Sequence, residues 1–420
     1  MYRLLYNCLI YLAMPLVLLR LAKRSIREDG YRRFISERFG WFRSQQPGEI
    51  IWIHSVSAGE TIAAAPFVQH LVEAGFPCLV TNMTPTGRER VRTLLVDRVE
   101  NCYAPYDLPG AVRRFLDRNR PRLLVTIDTE LWPNILAGCA SRNIPTALIN
   151  GRMAARSAEG YARFPLTGPM LGSMSLIAVQ TEAHARRFRE LGADREKVQV
   201  TGSIKFDGDY AAGHDSRLAK ARELLADRPV LLGASTHAGE ETALLECLPQ
   251  LEESIPDVLL VLAPRHTHRS GEVQRKCQSA GYQACCFSTV SRLEASDRVL
   301  ILDVMGELES YLSMARVAFV GGSLVPVGGH NLLEAVRAGT AVVMGPHLDN
   351  VEDITDQFME RAAMRRVADN EELSRAVYEL MHDEKSRLAM VNAASLVLDD
   401  NRGSIQRNIA LVMGILDPAR

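Results

Sequence analysis

From residue 48 onward, short apolar runs alternate with longer stretches whose apolar positions recur at helical spacing. The runs cover residues 50–53, 78–81, 123–127, 146–149, 176–179 and 199–200, with amphipathic segments such as 59–74 between them. This rhythm predicts strand–helix–strand units around a parallel sheet covered on both faces. A stretch rich in Gly, Ala and Asp interrupts it at 207–215. It then restarts with runs at 230–232, 258–262, 299–302, 317–320 and 341–344. The two halves also open alike. Residues 51–61 read IWIHSVSAGET and residues 230–242 read VLLGASTHAGEET: a strand, a small-residue turn, then Gly-Glu at the head of a helix. The economical expectation is an α/β chain of two Rossmann-like, doubly wound domains facing a cleft, 23–207 and 216–420, with a C-terminal helix able to cross back. Ligands in such sheets bind beyond the carboxyl ends of the strands.

The N-terminus breaks the pattern. Residues 4–19 carry no charge, and Arg3 and Arg20 bracket them. Sixteen residues fall short of the roughly 20 of a membrane span, but snorkelling arginines and the flanking Tyr2 and Ala22 extend the run. Leu21-Ala22-Lys23-Arg24 makes a poor signal-peptidase site. Arg20, Lys23, Arg24 and Arg27 lie on the body side, which places the body in the cytoplasm. Residues 1–22 are therefore expected to be a membrane anchor, either a single-pass span or a helix lying in the interface, the alternative being a buried helix. Residues 31–42 mix Arg32, Arg33 and Arg38 with Phe34, Phe39, Trp41 and Phe42. That mixture suits a bilayer interface and an ordinary amphipathic helix equally.

Composition narrows the classes. A chain of 420 residues that is 47% hydrophobic and 24% charged can build two or three real cores. A net charge of −1 argues against a nucleic-acid binder, yet residues 1–40 hold eight Lys/Arg against three Asp/Glu. A basic head on a mildly acidic body suits an anionic surface. The eight cysteines show no CxxC or zinc spacing, as free thiols of a reducing compartment do, and no structural metal is expected.

Several strand ends carry groups suited to chemistry. Gly321-Gly322-Ser323 and the PVGGH turn ending at His330 precede Asn331-Leu332-Leu333-Glu334, which opens a helix. Glycines allow close approach of a ligand, helix N–H groups favour an anion, and Glu334 can accept from a ribose hydroxyl. Asn331 followed by Glu334 reads equally as a capping box. Arg265, after Pro264, can fork a phosphate. Met305-Gly306-Glu307 follows the run 299–302. These loops converge at strand carboxyl ends of one domain. In the first half Glu60 holds the same topological position, as a general base or simply a helix-start anion. Asp128, Glu130 and Lys205 also follow strands, where binding or capping would explain each.

Taken together, these motifs resemble the Kdo transferases of Gram-negative bacteria, which attach 3-deoxy-D-manno-octulosonic acid (Kdo) to the lipid A precursor. The resemblance runs through Ser36–Gly40 (SERFG), His54–Glu60 (HSVSAGE), Thr126–Asn134 (TIDTELWPN), Asn150-Gly151-Arg152, Thr201–Asp207 (TGSIKFD), Ala263–His266 (APRH), Met305-Gly306-Glu307 and Gly328–Glu334 (GGHNLLE). It implies a GT-B fold, CMP-Kdo as donor, lipid IVA as acceptor and the cytoplasmic side of the inner membrane as location. It implies Glu60 as catalytic base with Glu130 and Lys205 supporting the transition state. Pro264, Arg265, Met305, Gly306, Glu307, Asn331, Leu332, Leu333 and Glu334 would hold CMP. Transfer would invert the anomeric centre without metal or cofactor, since no DxD motif ends a strand. The rivals are a soluble nucleotide-sugar 2-epimerase of the same architecture, which has no use for the N-terminal run, and a non-catalytic membrane-tethered sensor, whose sign would be loss of the Glu60 carboxylate.

Overall fold

The computed structural model describes residues 1–26, 29–207, 215–226 and 228–416. Arg27 and all but the ends of the expected 207–215 linker lie outside the described residues. The chain divides into two compact units, Met1–Gly208 with Asn401–Arg420, and Asp209–Asp400.

Among the described residues the first unit holds a seven-stranded parallel sheet. Its strands are β1 (Ile51–His54), β2 (Cys78–Asn82), β3 (Glu100–Tyr103), β4 (Leu123–Ile127), β5 (Thr146–Gly151), β6 (Leu176–Val179) and β7 (Val198–Val200), in the order β3-β2-β1-β4-β5-β6-β7. The interior strands β1, β2, β4, β5 and β6 are buried at every position, which is why they read as unbroken apolar runs. Alternate residues feed two cores. Trp52, Leu79 and Leu124 pack with Phe115 and Ile135 on one face. Ile51, Ile53, Val80 and Val125 pack with Phe67, Val68, Ile405 and Val412 on the other. The last two belong to the helix Ser404–Leu416, which completes this unit. Asp207 holds that helix: its carboxylate accepts from the N–H of Gly403 (2.8 Å), the Ser404 hydroxyl (2.9 Å) and the N–H of Ile405 (2.7 Å).

The second unit repeats the plan with β8 (Val230–Thr236), β9 (Leu259–Pro264), β10 (Ala284–Cys286), β11 (Val299–Ile301), β12 (Ala315–Val320), β13 (Ala341–Met344) and β14 (Arg365–Arg366), in the order β10-β11-β9-β8-β12-β13-β14. The sequence pattern misses β3, β10 and β14, and all three are edge strands. An edge strand has one neighbour and needs little apolar character, so ENCY, ACC and RR carry no strand signature.

Residues 31–42 correct the expectation made for them. They form no amphipathic helix but short 3-10 turns, Asp29–Tyr31 and Ile35–Phe39. Arg38 is 1% exposed; both terminal nitrogens of its guanidinium donate to the Met83 carbonyl at 3.1 Å, and it lies 3.9 Å from the Tyr103 ring centre. Glu37 accepts from Arg88 (2.6 Å) and from the Tyr103 N–H (2.8 Å). SERFG is thus a structural seam, and Arg38 is unavailable to a bilayer. The residues before it form α1 (Tyr2–Ser25), with a mean hydropathy of 1.8 over its most apolar stretch, long and apolar enough to cross a membrane by length and composition. It runs three residues beyond the expected end of the anchor.

Candidate active site

In the first unit the chain builds β2 and β3 on one side of β1, then returns to place β4 on the other side. The gap beyond the carboxyl ends of β1 and β4 is a topological switch point, where a doubly wound sheet leaves room for a ligand. All three sequence-predicted carboxylates of this unit are there. Glu60 sits in the first turn of α2 (Ala58–Glu73), after β1. Asp128 and Glu130 follow β4.

Their surroundings set different proton affinities. Glu60 is half-buried, accepting from the Val56 N–H and the Ser57 hydroxyl, both at 2.7 Å, while Ser57 caps the Glu60 N–H at 3.3 Å. Burial raises its pKa above the usual carboxylate range, Ser57 opposes this, and the Asp128 charge adds to it. Glu130 accepts from the Trp132 indole at 2.7 Å. Its pKa is pushed up to about 8 by burial and then by the charge of Glu60. Two donors work against burial at Glu60, whereas at Glu130 burial and the neighbouring charge dominate and the proton is held more tightly. Asp128 is buried with a positive φ of 59°, accepts from Asn150 at 2.5 Å and lies 3.7 Å from Arg152. Asn150 also accepts from the Ile204 N–H at 3.1 Å, which ties the Asn-Gly-Arg segment to the turn bearing Lys205. Lys205 is half-buried on the 3-10 turn Ile204–Asp207.

His54 was quoted as part of a motif but given no role. It is 1% exposed at the end of β1, with Nδ1 3.0 Å from the Thr81 hydroxyl and its ring 6.4 Å from Trp132. Burial lowers its pKa to about 4, which keeps the ring neutral beside Trp132.

The second unit has its own switch point, between β8 and β12. Glu240 controls it. Its fully buried carboxylate accepts from the N–H groups of His237 (2.8 Å), Gly322 (2.9 Å), Ser323 (3.1 Å) and Leu324 (3.0 Å), stitching the loop after β8 to the glycine turn after β12. A Cβ on Gly321 would come within 2.5 Å of the Ser235 carbonyl, so only glycine fits. Sequence similarity between the Gly-Glu openings concealed a difference: Glu60 is partly open and has two donors, whereas Glu240 is consumed by four.

Around this frame stand the predicted binding residues. Pro264 ends β9 and is buried, while Arg265 beyond it is exposed. The Arg265 charge reaches both His330 and Glu334. His237 and His330 stack with Nε2 atoms 2.8 Å apart, one donating and the other accepting. Burial and then Arg265 hold His330 down at about 4. Neither histidine is among the sequence-predicted binding residues, although His330 lies within the predicted glycine-rich turn; His237 follows β8, at which no binding loop was expected. Met305 is 72% exposed, Gly306 has φ 89° and accepts from Arg217 at 2.9 Å, and Glu307 precedes the helix Leu308–Leu312. Asn331 is exposed and accepts from the Leu333 N–H at 3.1 Å. The side chains of Leu332 and Leu333 are buried in the core, which leaves only their backbone for any binding role. Glu334 is half-buried, its pKa raised by burial and by Glu309.

Residues 33–208 match the family model described as 3-deoxy-D-manno-octulosonic-acid transferase, and residues 241–397 match glycosyl transferases group 1. The 3-deoxy-D-manno-octulosonic acid transferase of Haemophilus influenzae is 36% identical over 99% of both chains. This chain belongs to that family. It is a glycosyltransferase of Kdo. The Bordetella pertussis member is 34% identical over 94% of this chain and 95% of its own. The UDP-GlcNAc 2-epimerase of Neisseria meningitidis is 12% identical, covers 87% of this chain and 99% of its own, and superposes with a TM-score of 0.54, a likeness of fold alone. Two parallel seven-stranded sheets and this likeness make the fold GT-B.

Proposed function

We propose that this Kdo transferase moves Kdo from CMP-Kdo onto the lipid A precursor lipid IVA with inversion, Glu60 serving as general base. The observation that carries this reading is the unequal carboxylate pair at the β1/β4 switch point. Glu60, whose anion the Val56 N–H and the Ser57 hydroxyl favour, is assigned to take a proton from the acceptor hydroxyl. Glu130, retaining its proton, offers a hydrogen-bond donor rather than a second charge. The anomeric carbon passes through an oxocarbenium-like state, and Lys205 is assigned to the sugar carboxylate. In the second unit Arg265 and the N–H groups around Asn331–Glu334 would meet the CMP phosphate, with Glu334 on the ribose. Positive charge and backbone dipoles there would stabilise the leaving phosphate without a metal ion. The apolar α1 supports attachment to the cytoplasmic face of the inner membrane. The test of mechanism is NMR comparison of the anomeric configuration of Kdo in donor and product. Inversion is expected, and retention would remove Glu60 from its role as base.

A further inference from the structure

α1 has two distinct sides. At about 100° per residue, Leu5, Leu9, Leu12, Leu16 and Leu19 fall within an arc of about 80°. All five are exposed, between 57% and 77%. Tyr6, Asn7, Ile10 and Met14 lie on the opposite side, and that side is docked. The Tyr6 hydroxyl donates to Asp107 at 2.9 Å, and the Asn7 side-chain carbonyl accepts from Asn134 at 2.8 Å. The Tyr6 ring meets Phe164 edge-on at 6.2 Å, and Met14 is buried with Tyr106, Leu108 and Ala111. Docking therefore runs along the first half of the helix, within the first unit.

This arrangement conflicts with a helix that crosses the bilayer. In a spanning helix Tyr6 to Met14 would sit in hydrocarbon, and their partners would have to follow. Asp107 also accepts from the N–H groups of Asn134 (3.0 Å) and Ile135 (2.8 Å) and is itself buried. A carboxylate, an amide side chain and irregular backbone at that depth are each costly. A helix lying flat has no such cost. Its docked side stays on the protein, its leucine stripe sinks into the acyl region just below the head groups, and Lys23 and the flanking Arg20, both exposed, meet anionic phosphates.

We propose that α1 is an in-plane anchor, sandwiched between the first unit and an anionic bilayer, and not the single-pass span that its length and composition equally allow. This deepens the membrane attachment in the functional reading above and is independent of donor and acceptor. It also gives the membrane a short route to the site. Asp107 grips the start of the helix Pro133–Ala140, and Trp132, the residue before it, holds Glu130.

The test is depth. In the full chain with Cys8, Cys285 and Cys286 changed to Ser, a single Cys replaces Leu5, Leu12 or Leu19 and carries an environment-sensitive fluorophore. The remaining five cysteines are buried. Quenching by lipids labelled at known depths is read on vesicles of phosphatidylcholine and phosphatidylglycerol. The proposal expects one shallow depth for all three positions. A spanning helix would separate Leu5 from Leu19 by about 21 Å, at about 1.5 Å per residue. A graded series of depths, or no quenching at any position, overturns the proposal.

Discussion

The proton on Glu130 is a consequence of burial that can be measured. In the unfolded chain this carboxyl ionises near 4.5; in the folded chain burial and the Glu60 charge hold it protonated up to about 8. Between those values the native state binds the extra proton, so stability falls as pH rises through the window. The full effect is about 1.4 kcal/mol per pH unit, or about 2.7 kcal/mol between pH 5 and 7. Glu130 is only half-buried, and water reaching it reduces the expected loss to about 1–2 kcal/mol. Glu130→Gln removes the titration yet keeps an oxygen for the Trp132 indole. The variant is therefore expected to gain about 1–2 kcal/mol on the wild type between pH 5 and 7, roughly 2–4 °C per kcal/mol for a unit of this size. Differential scanning calorimetry of the first unit's transition at a series of pH values measures the difference. A difference that stays constant from pH 5 to pH 8 would show that Glu130 titrates normally, and the assignment of base and proton-bearing partner would lose its basis.

Glu60→Gln should lower turnover by at least about a hundredfold. CMP affinity, measured by calorimetry, should hardly change; near-normal turnover would exclude Glu60 as base. Transfer should proceed fully in excess EDTA, because Arg265 and backbone dipoles replace a cation. Loss of activity restored by magnesium or manganese would contradict this. Asp207→Ala removes the acceptor for three donors at the head of the last helix and should cost about 2–4 kcal/mol. Limited proteolysis should then cut first near residues 401–416, and an unchanged cleavage pattern would count against this seam.

Much of this molecule was legible because parallel strands buried on both faces leave unbroken apolar runs, as in LLVTI and TALING. Edge strands such as ENCY leave no such trace. Glu60, Glu130 and Arg265 stand out as candidates because they follow strands, where topology puts ligands. What each one does was less legible. Asp207 ends the TGSIKFD motif, and nothing local shows that it secures a helix some two hundred residues away in sequence. Arg38 looks like a surface cation, but it is buried over Tyr103. The two Gly-Glu openings look equivalent until the number of N–H groups reaching each carboxylate is known. Long-range hydrogen bonding decides these cases, and local pattern does not carry it.

Incubation of the purified full chain with CMP-Kdo and lipid IVA, with products counted by mass spectrometry, tests the central claim most directly. The account predicts a mass increase of one or more Kdo units on lipid IVA with matching release of CMP. Lipid IVA left unmodified while CMP-Kdo is bound would contradict it.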